Sequence, residues 1–157
     1  MSKSYRISPA TIGDVAEIDR IEREAFATPW SVDLIRAAVS NQKYDVRVLR
    51  MELVPVVGFY ISHLNGDCIN LDNLAVDVPY RGLGFGRQLI LDWKERSRFN
   101  DPRKLTLQVN TKNTGAQKLY QELGFRKRSL LVSYYPNGED AYQMETRAIP
   151  AARSASI

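Results

Sequence analysis

The sequence predicts a mixed α/β domain built on a central sheet, and three observations support this prediction. The 157 residues are the length of one domain. The hydrophobic pattern alternates between the two-residue period of strands and the 3.6-residue period of helices. Turn-forming Gly, Pro and Asn residues separate these segments. We predict the order β-α-α-β-β-β-α-β-α-β-β within one domain, residues 1–149, and a frayed tail at residues 150–157.

The N-terminal half contains two helices among four strands. β-forming residues and alternation predict strands at residues 5–7, 44–51, 56–64 and 68–76. Thr11, followed by Asp14 three residues later, has the pattern of a helix N-cap, and Ser31 is a second N-cap. The turn residues Asn65-Gly66-Asp67 connect the third strand to the fourth.

The C-terminal half alternates helix and strand and ends in a hairpin. The segment RQLILDWKERSRF has apolar residues at helical spacing, and Asp101-Pro102 ends that helix. KLTLQVN alternates as a strand, and the next helix begins near Asn113 and ends at Gly124 in the C′ position. RSLLVSYY and AYQMETRAI, joined by PNGED, predict the final hairpin.

Composition and charge exclude several classes of function. No run of 18 apolar residues predicts a membrane span, and the N-terminus lacks a secretory signal, so we expect a cytoplasmic protein without membrane contact. The single cysteine, Cys68, excludes an internal disulfide and gives no metal cluster. Residues 81–128 hold twelve Lys and Arg against four Asp and Glu, a local charge of +8 that suits an anionic ligand. No nucleic-acid motif accompanies this charge, and no nucleic-acid partner is expected.

The glycine stretch YRGLGFGRQL lies between a strand and a helix. Gly82, Gly84 and Gly86 are spaced G-x-G-x-G, whereas a dinucleotide fingerprint requires G-x-G-x-x-G. A P-loop requires Lys-Ser or Lys-Thr directly after its last glycine, and Gly86 is followed by Arg87. Such glycines allow backbone N–H groups to point outward at a helix N-terminus, which favours a phosphate or pyrophosphate. A flexible strand–helix connection is the structural alternative.

Two motifs carry a resemblance to a known superfamily. LAVDVPYRGLGFGRQLI resembles the R/Q-x-x-G-x-G/A signature of the GNAT N-acetyltransferases through Arg81, Gly84 and Gly86. NTGAQKLYQELGF resembles their second signature, N-x-x-A-x-x-L-Y-x-x-x-G-F. EREAFATPWS and SYYPNGEDAYQME are similar to segments of the RimI-like branch, the ribosomal-protein N-terminal alanine acetyltransferases. The likeness covers residues 5–147. It implies a mixed, mainly antiparallel sheet flanked by helices, with a splay between strands 4 and 5.

The resemblance implies acetyl-CoA as the cofactor, with coenzyme A as a product. Backbone groups of Leu74, Ala75 and Val76 would then pair with the pantetheine arm. The pyrophosphate would be wrapped by the amides of the glycine loop, residues Arg81, Gly82, Leu83, Gly84, Phe85 and Gly86. Asn113 would contact the cofactor near its thioester. Tyr120 would act as the general acid that protonates the leaving CoA thiolate.

The sequence departs from the RimI-like branch at Gln108. The branch commonly has a glutamate there as its proposed general base, and an amide cannot accept a proton at neutral pH. We expect Gln108 to hold a water molecule through which the proton leaves. A site without a strong base tolerates an α-amine better than a lysine side chain, because the α-amine has the lower pKa. This difference favours acetylation of a protein or peptide N-terminus, with a ribosomal protein among the candidates.

Other residues are candidates for the acceptor side. From their positions in the branch, Glu22 would contact the acceptor ammonium, and Trp30, Tyr134 and Tyr135 would line the peptide pocket. His63 and Asp72 are considered as substitute bases, although structural roles are the simpler interpretation for both. The alternative functions are acetylation of a small amine or of lysine, and a non-catalytic acyl-CoA-binding module. The oligomeric state stays open, and no metal is expected.

Overall fold

The computed structural model describes residues 4–148, which contain four helices and seven strands. The helices are α1 Val15–Ala25, α2 Val32–Val39, α3 Phe85–Ser97 and α4 Thr114–Glu122. The strands are β1 Tyr5–Pro9, β2 Tyr44–Met51, β3 Val54–Asn65, β4 Cys68–Val76, β5 Lys104–Asn110, β6 Arg126–Leu131 and β7 Ala141–Arg147. Residue 149 and the predicted tail at 150–157 lie outside the described residues.

The seven strands form one sheet in the order β1-β2-β3-β4-β5-β7-β6. The β1–β2, β2–β3, β5–β7 and β6–β7 pairs are antiparallel. Strand β5 runs parallel to β4, as expected for two strands joined by a helix, here α3. The predicted fold class and element order are therefore confirmed. The splay between β4 and β5 stays a prediction.

Several strand boundaries differ from the prediction. Strand β3 starts at Val54 and includes Pro55, which lies in the gap between the predicted strands 44–51 and 56–64. The RSLLVSYY segment ends as a strand at Leu131 and not at Tyr135. The reason is local: Ser133 has a φ of 52°, and its amide donates to Asp140 Oδ1 at 2.7 Å. These features turn the chain before the two tyrosines, which therefore lie in the β6–β7 loop.

Short-range hydrogen bonds fix the helix ends where the sequence predicted them. The Thr11 amide donates to Asp14 Oδ2 at 2.8 Å in a capping box ahead of α1. Ser31 Oγ accepts from the Leu34 amide at 3.2 Å at the start of α2. Gly124, which follows α4, has a φ of 96°, a conformation that only glycine adopts easily.

The described residues group into two compact units. The N-terminal unit comprises residues 4–63 and 71–90, and its core lies between the first two helices and the sheet. The buried members are Val15, Ile18, Ile21, Ile35, Ala38, Val46, Val48, Val56, Phe59, Ile61 and Ala75. Gly58 is required here, because a Cβ at that position would lie 2.9 Å from the Ala75 carbonyl oxygen. The prediction of a single domain over residues 1–149 stays a prediction.

The C-terminal unit comprises residues 64–70 and 91–148. Its core contains a stack of aromatic rings: Trp93 and Phe125 are nearly parallel, with centroids 5.8 Å apart. Leu105, Leu107 and Met144 are buried in the same unit on β5 and β7. No helix within residues 4–148 has the length and apolar character needed to cross a membrane.

Candidate functional site

The glycine loop of the N-terminal unit presents open backbone. Gly82 and Gly84 have φ values of 76° and 86°, which side-chain-bearing residues rarely adopt. A Cβ built on either glycine would meet nothing within 4 Å, so space lies beside both residues. Glycine is the residue that permits this conformation, and the role of the loop in binding a pyrophosphate stays a prediction.

Helix α3 begins directly after this loop. The Gly84 carbonyl accepts from the Gln88 amide at 3.1 Å, so the first N–H groups of the helix have no carbonyl partner within it. The Phe85 side chain points away into the core, where it is 5% exposed and meets the Tyr5 ring edge-on at 5.7 Å. Phe85 can therefore serve a ligand only through its backbone, as predicted for this loop.

Two arginines hold the loop to its surroundings within the N-terminal unit. Arg81 Nε donates to the Val76 carbonyl oxygen at 2.8 Å and so ties the loop to the last residue of β4. Arg20 of α1 donates to both carboxylate oxygens of Asp77, at 3.2 and 3.0 Å. The hydrogen bonds from Arg20 lower the pKa of Asp77, and this buried carboxylate stays charged at neutral pH.

The Glu22 side chain is buried and contacts β4. Its Oε1 accepts from the Trp30 amide at 3.0 Å and from the Asn73 side-chain amide. Burial raises the pKa of Glu22, and within residues 4–148 its Oε2 has no hydrogen-bond partner. Glu22 is 1% exposed, so its carboxylate does not face solvent in this conformation. Its hydrogen bonds link α1 to the α1–α2 loop and to β4. Contact with an acceptor ammonium stays a prediction.

Strands β2, β3 and β4 bring a second polar group together in the same unit. His63 Nδ1 lies 2.7 Å from Asp72 Oδ2. The Tyr44 ring lies 5.4 Å from the imidazole, and Trp30 meets Tyr44 edge-on at 6.4 Å. Two side chains that the sequence analysis considered separately therefore form a pair.

Tyr120 is buried in the C-terminal unit at the end of α4. Its ring meets Phe125 edge-on at 6.0 Å. Burial, and next the proximity of Tyr135, raise the pKa of Tyr120 to about 12. The phenol therefore keeps its proton at neutral pH, as a general acid must.

Gln108 lies in a network of side-chain amides. Its Nε2 donates to Asn70 Oδ1 at 3.0 Å and to Gln143 Oε1 at 2.7 Å, and its Oε1 accepts from Asn70 Nδ2 at 3.2 Å. Thr106 Oγ1 also donates to Asn70 Oδ1, at 2.8 Å. Both heteroatoms of the Gln108 amide are thus bonded to protein. The expected hold on a water molecule stays a prediction.

Asn113 is the N-cap of α4. Its Oδ1 accepts from the Ala116 amide at 3.1 Å. Gln117, one turn into the helix, donates to the carbonyls of Asn110 and Thr111 at 3.0 Å each and fixes α4 against the end of β5. The side-chain oxygen of Asn113 is therefore occupied, and its predicted contact with a cofactor would use the side-chain NH₂ group.

Tyr134 and Tyr135 lie side by side in the β6–β7 loop, with their rings edge-on at 5.0 Å. The Tyr135 amide donates to the Glu139 carbonyl at 3.1 Å, which closes the loop. Tyr134 is 47% exposed, whereas Tyr135 is half-buried. Burial, followed by the nearby Tyr134 and Glu139, raises the pKa of Tyr135 to about 12.

Sequence reasoning missed the partners that hold the candidate residues in place. Asn70 and Asn73 bond to Gln108 and Glu22, and neither was proposed as a site residue. One signal was available, because asparagine is disfavoured in strands and two of them occur in CINLDNLAV. The described part of the chain holds no group of three His, Cys, Asp or Glu side chains arranged to bind a metal ion.

The comparisons with known proteins agree with this geometry. A family model described as an acetyltransferase (GNAT) domain matches residues 13–147. The chain belongs to the GNAT acetyltransferase family. It is 35% identical over 133 residues to an uncharacterized N-acetyltransferase of Methanocaldococcus jannaschii, covering 83% of this chain and 84% of the relative. It is 30% identical over 147 residues to the ribosomal protein bS18-alanine N-acetyltransferase of Escherichia coli, covering 92% and 96%.

The solved structures extend the likeness to three dimensions. The crystal structure of the ribosomal-protein-S18-alanine N-acetyltransferase from Escherichia coli superimposes with a TM-score of 0.84 at 27% identity. The match covers 98% of this chain and 99% of that chain. The predicted resemblance to the RimI-like branch is confirmed, and the chain is an N-acetyltransferase of the GNAT type.

Acetyl-CoA is the acetyl donor of GNAT acetyltransferases. The residues present fit this molecule. The open sides of Gly82 and Gly84 provide room for a pyrophosphate, and the N-terminus of α3 presents backbone N–H donors next to them. The loop itself contributes Arg81 and no acidic side chain. These features suit a ligand that carries negative charge.

Proposed function

We propose that the protein transfers the acetyl group of acetyl-CoA to the N-terminal α-amino group of a protein or peptide. The observation that carries this choice of acceptor is the state of Gln108. Its amide oxygen and nitrogen are both bonded to neighbouring side chains, and an amide does not take up a proton at neutral pH. The β5 position where relatives of the RimI-like branch commonly have a glutamate therefore offers no strong base.

The pKa of the acceptor amine determines how strongly the absence of a base at position 108 hinders the reaction. An α-amino group has a pKa near 7.7–8.0, so roughly one molecule in ten is neutral at pH 7, at a cost of about 1.2 kcal/mol. A lysine side chain with a pKa near 10.4 is neutral about once in 2,500 molecules, at a cost of about 4.6 kcal/mol. A site without a carboxylate base at position 108 is thus better matched to an α-amine, whose proton leaves through water.

Each candidate residue then has a defined task toward the donor. Acetyl-CoA supplies the acetyl group as a thioester. The amides of residues 81–86 bind the pyrophosphate, and the backbone of Leu74, Ala75 and Val76 pairs with the pantetheine arm. Asn113 contacts the thioester end through its NH₂ group. Tyr120, whose pKa is about 12, holds the proton that the leaving thiolate receives.

The acceptor side is formed by aromatic residues. We assign Trp30 to the acceptor side, where the Glu22 carboxylate accepts from its amide. In the C-terminal unit, the tyrosine pair Tyr134 and Tyr135 is also assigned to the acceptor peptide. The name of the Escherichia coli relative makes a ribosomal protein one candidate acceptor. We propose a cytoplasmic enzyme that recognises its substrate through the peptide alone, without direct contact to nucleic acid or membrane.

The proposal is tested by acetyl-CoA turnover on short peptides that differ in their first residue. Each peptide is paired with a copy whose α-amine is blocked and whose internal lysine is free, and free lysine and a polyamine are added. We expect turnover on free α-amines and at least a hundredfold less on the blocked copies, because a lysine amine is neutral about 250-fold less often at pH 7.

Three outcomes would replace the proposal with an alternative. Turnover on the blocked peptides alone would assign the enzyme to lysine side chains. Turnover on the polyamine alone would assign it to small amines. Binding of acetyl-CoA by calorimetry, with no transfer to any amine, would identify a non-catalytic acyl-CoA-binding module.

A further inference from the structure

The pair formed by His63 and Asp72 has no role in the function proposed above. His63 Nδ1 lies 2.7 Å from Asp72 Oδ2, a normal length for a charge-assisted hydrogen bond. The Asp72 side chain is 11% exposed and that of His63 is 29% exposed. The carboxylate is thus largely withdrawn from water, while the imidazole keeps an exposed part.

This geometry selects one tautomer of the imidazole. A carboxylate accepts the Nδ1 hydrogen, which leaves the lone pair of the neutral ring on Nε2. Asp72 thereby orients the ring and stabilises the imidazolium that forms when Nε2 takes up a proton. A histidine paired in this way is equipped to act as a general base.

The pair lies among residues assigned to the two substrates, all within the N-terminal unit. The His63 ring contacts Tyr44, and Tyr44 contacts Trp30, which we assign to the peptide groove. Asp72 stands two residues before Leu74 on β4, the first residue assigned to the pantetheine arm. One strand therefore carries both the residue that orients the imidazole and the backbone that holds the donor.

We propose that His63 is the general base of the reaction and that Asp72 is the residue that positions it. This inference rests on the proposed function. It identifies the side chain that removes the proton from the acceptor amine, from which the proton later passes to solvent. His63 Nε2 takes one proton from the acceptor ammonium, directly or through the water proposed above. The neutral amine then forms the new C–N bond as the thioester C–S bond breaks, and the leaving thiolate takes the proton assigned to Tyr120. The second proton that the nitrogen loses on becoming an amide passes through water and restores the phenol. The imidazolium afterwards releases its proton to water.

An imidazole matches an α-amine better than it matches a lysine. An α-amino group has a pKa more than two pH units below that of a lysine amine. Transfer of a proton to an imidazole is therefore less uphill from an α-ammonium than from a lysine ammonium. The pair supports the acceptor class that the state of Gln108 favours.

One test determines the tautomer of His63, and thus its hydrogen bond to Asp72, without measuring activity. His63 is the only histidine among the 157 residues, so its imidazole nitrogens give unambiguous ¹⁵N signals in an untagged protein. We expect the Nδ1–H tautomer in the neutral ring, and a mixture of tautomers in Asp72→Asn. A peptide with a free α-amine should shift these signals more than the same peptide acetylated. An Nε2–H tautomer in the parent protein would overturn the inference.

The second test is the pH dependence of kcat/KM on the best peptide substrate. Asp72 of β4 and Tyr44 of β2 are the titratable groups in contact with the imidazole. His63→Gln should lower kcat/KM about 10- to 100-fold at pH 7. The loss should shrink above pH 9, where the amine is already neutral. The acidic limb of the parent profile should coincide with the imidazole titration seen by ¹⁵N NMR.

Further variants separate catalysis from folding. Imidazole added to His63→Ala should restore part of the lost activity, and Asp72→Asn should lose less than His63→Gln. Glu52→Gln, an exposed position in the β2–β3 turn, is the matched control and should keep the parent profile. An unchanged pH profile in His63→Gln, with an active parent, would overturn this inference alone. A parent inactive on every free α-amine would overturn the proposed function and this inference with it.

Discussion

The two segments that carry the family's motifs are built in opposite ways. The glycine loop, residues 81–86, exposes backbone: Gly82 and Gly84 have positive φ and open space beside them. The α4 segment is closed: Asn113 caps its own helix, and Tyr120 is 9% exposed with its ring against Phe125. The first segment offers amides to a ligand, and the second holds one hydroxyl in a dry environment.

This difference separates binding from chemistry. Amide donors bind a pyrophosphate equally before and during the reaction, so they contribute to affinity. A buried phenol with a pKa of about 12 keeps its proton until a base forms beside it, so the role that we propose for Tyr120 belongs to the chemical step. Variants of the glycine loop should consequently change the affinity for acetyl-CoA, whereas variants of the α4 segment should change kcat.

Tyr120→Phe should give the largest loss. The change removes the proton that we assign to the leaving thiolate and keeps the ring that packs on Phe125. We expect kcat to fall about 100- to 10,000-fold, the usual range for a lost general acid. Acetyl-CoA affinity should stay within about twofold, because no amide of the glycine loop is altered. Steady-state kinetics and calorimetry give the two numbers.

The control for this variant is Tyr142→Phe on β7. Tyr142 is half-buried in the same unit and has Lys127 Nζ over its ring at 4.3 Å, a contact that phenylalanine retains. It should show nearly parental kinetics. Equal losses of kcat and affinity in Tyr120→Phe would mean that the hydroxyl supports the fold or the cofactor site and does not act as the acid.

Gly84→Ala should give the next largest effect, on affinity. Alanine is strained at a φ of 86°, so the free loop should relax to another conformation. Binding must then restore the strained one at a cost of about 1–3 kcal/mol, which corresponds to roughly 10- to 100-fold weaker acetyl-CoA binding. At saturating acetyl-CoA, kcat should stay close to the parental value.

Gly66→Ala is the matched control for the loop variant. Gly66 has a φ of 63° and nothing within 4 Å of a Cβ, but it lies in the β3–β4 turn. The two variants should lose similar stability in thermal unfolding, and only Gly84→Ala should lose affinity. Parental affinity in Gly84→Ala would show that the loop amides are not the cofactor donors.

The sequence predicted features whose partners are close along the chain. Thr11 and Asp14 are three residues apart, and so are Ser31 and Leu34. Their helix ends follow from local hydrogen bonding. The glycine loop was located on the same kind of local grounds, because glycines between a strand and a helix permit backbone conformations that other residues rarely adopt, and Gly84 has such a positive φ.

Contacts across the sheet could not be predicted in this way. Asn73 is 51 residues from Glu22 along the chain, and Asn70 is 38 residues from Gln108. Which polar side chains meet depends on strand order and register, which no local pattern specifies. The contact between His63 and Asp72 is intermediate between the local contacts and the contacts across the sheet. They are nine residues apart across a predicted turn, but only the folded strands reveal that they bond.

Glu22→Gln should give the smallest effect, and it tests the support behind the open segment. Burial raises the pKa of Glu22 in the folded protein, whereas the unfolded chain has the ordinary value near 4.5. Below that value the carboxyl is neutral in both states. As the pH rises through the folded pKa, the charged form is favoured more in the unfolded chain, so the parent loses stability.

Glutamine is neutral throughout, and its oxygen can still accept from the Trp30 amide and from Asn73. The free energy of unfolding of Glu22→Gln should therefore match the parent below pH 4.5. It should exceed the parent value by about 1 kcal/mol at pH 8, the order of magnitude for one uncompensated buried polar group. The carboxylates of Asp77 and Asp14 titrate in both proteins and cancel in the difference. A constant difference across this pH range, measured by urea unfolding, would show that the fold does not raise the pKa of Glu22 and that the carboxylate bound to Trp30 and Asn73 is charged at neutral pH.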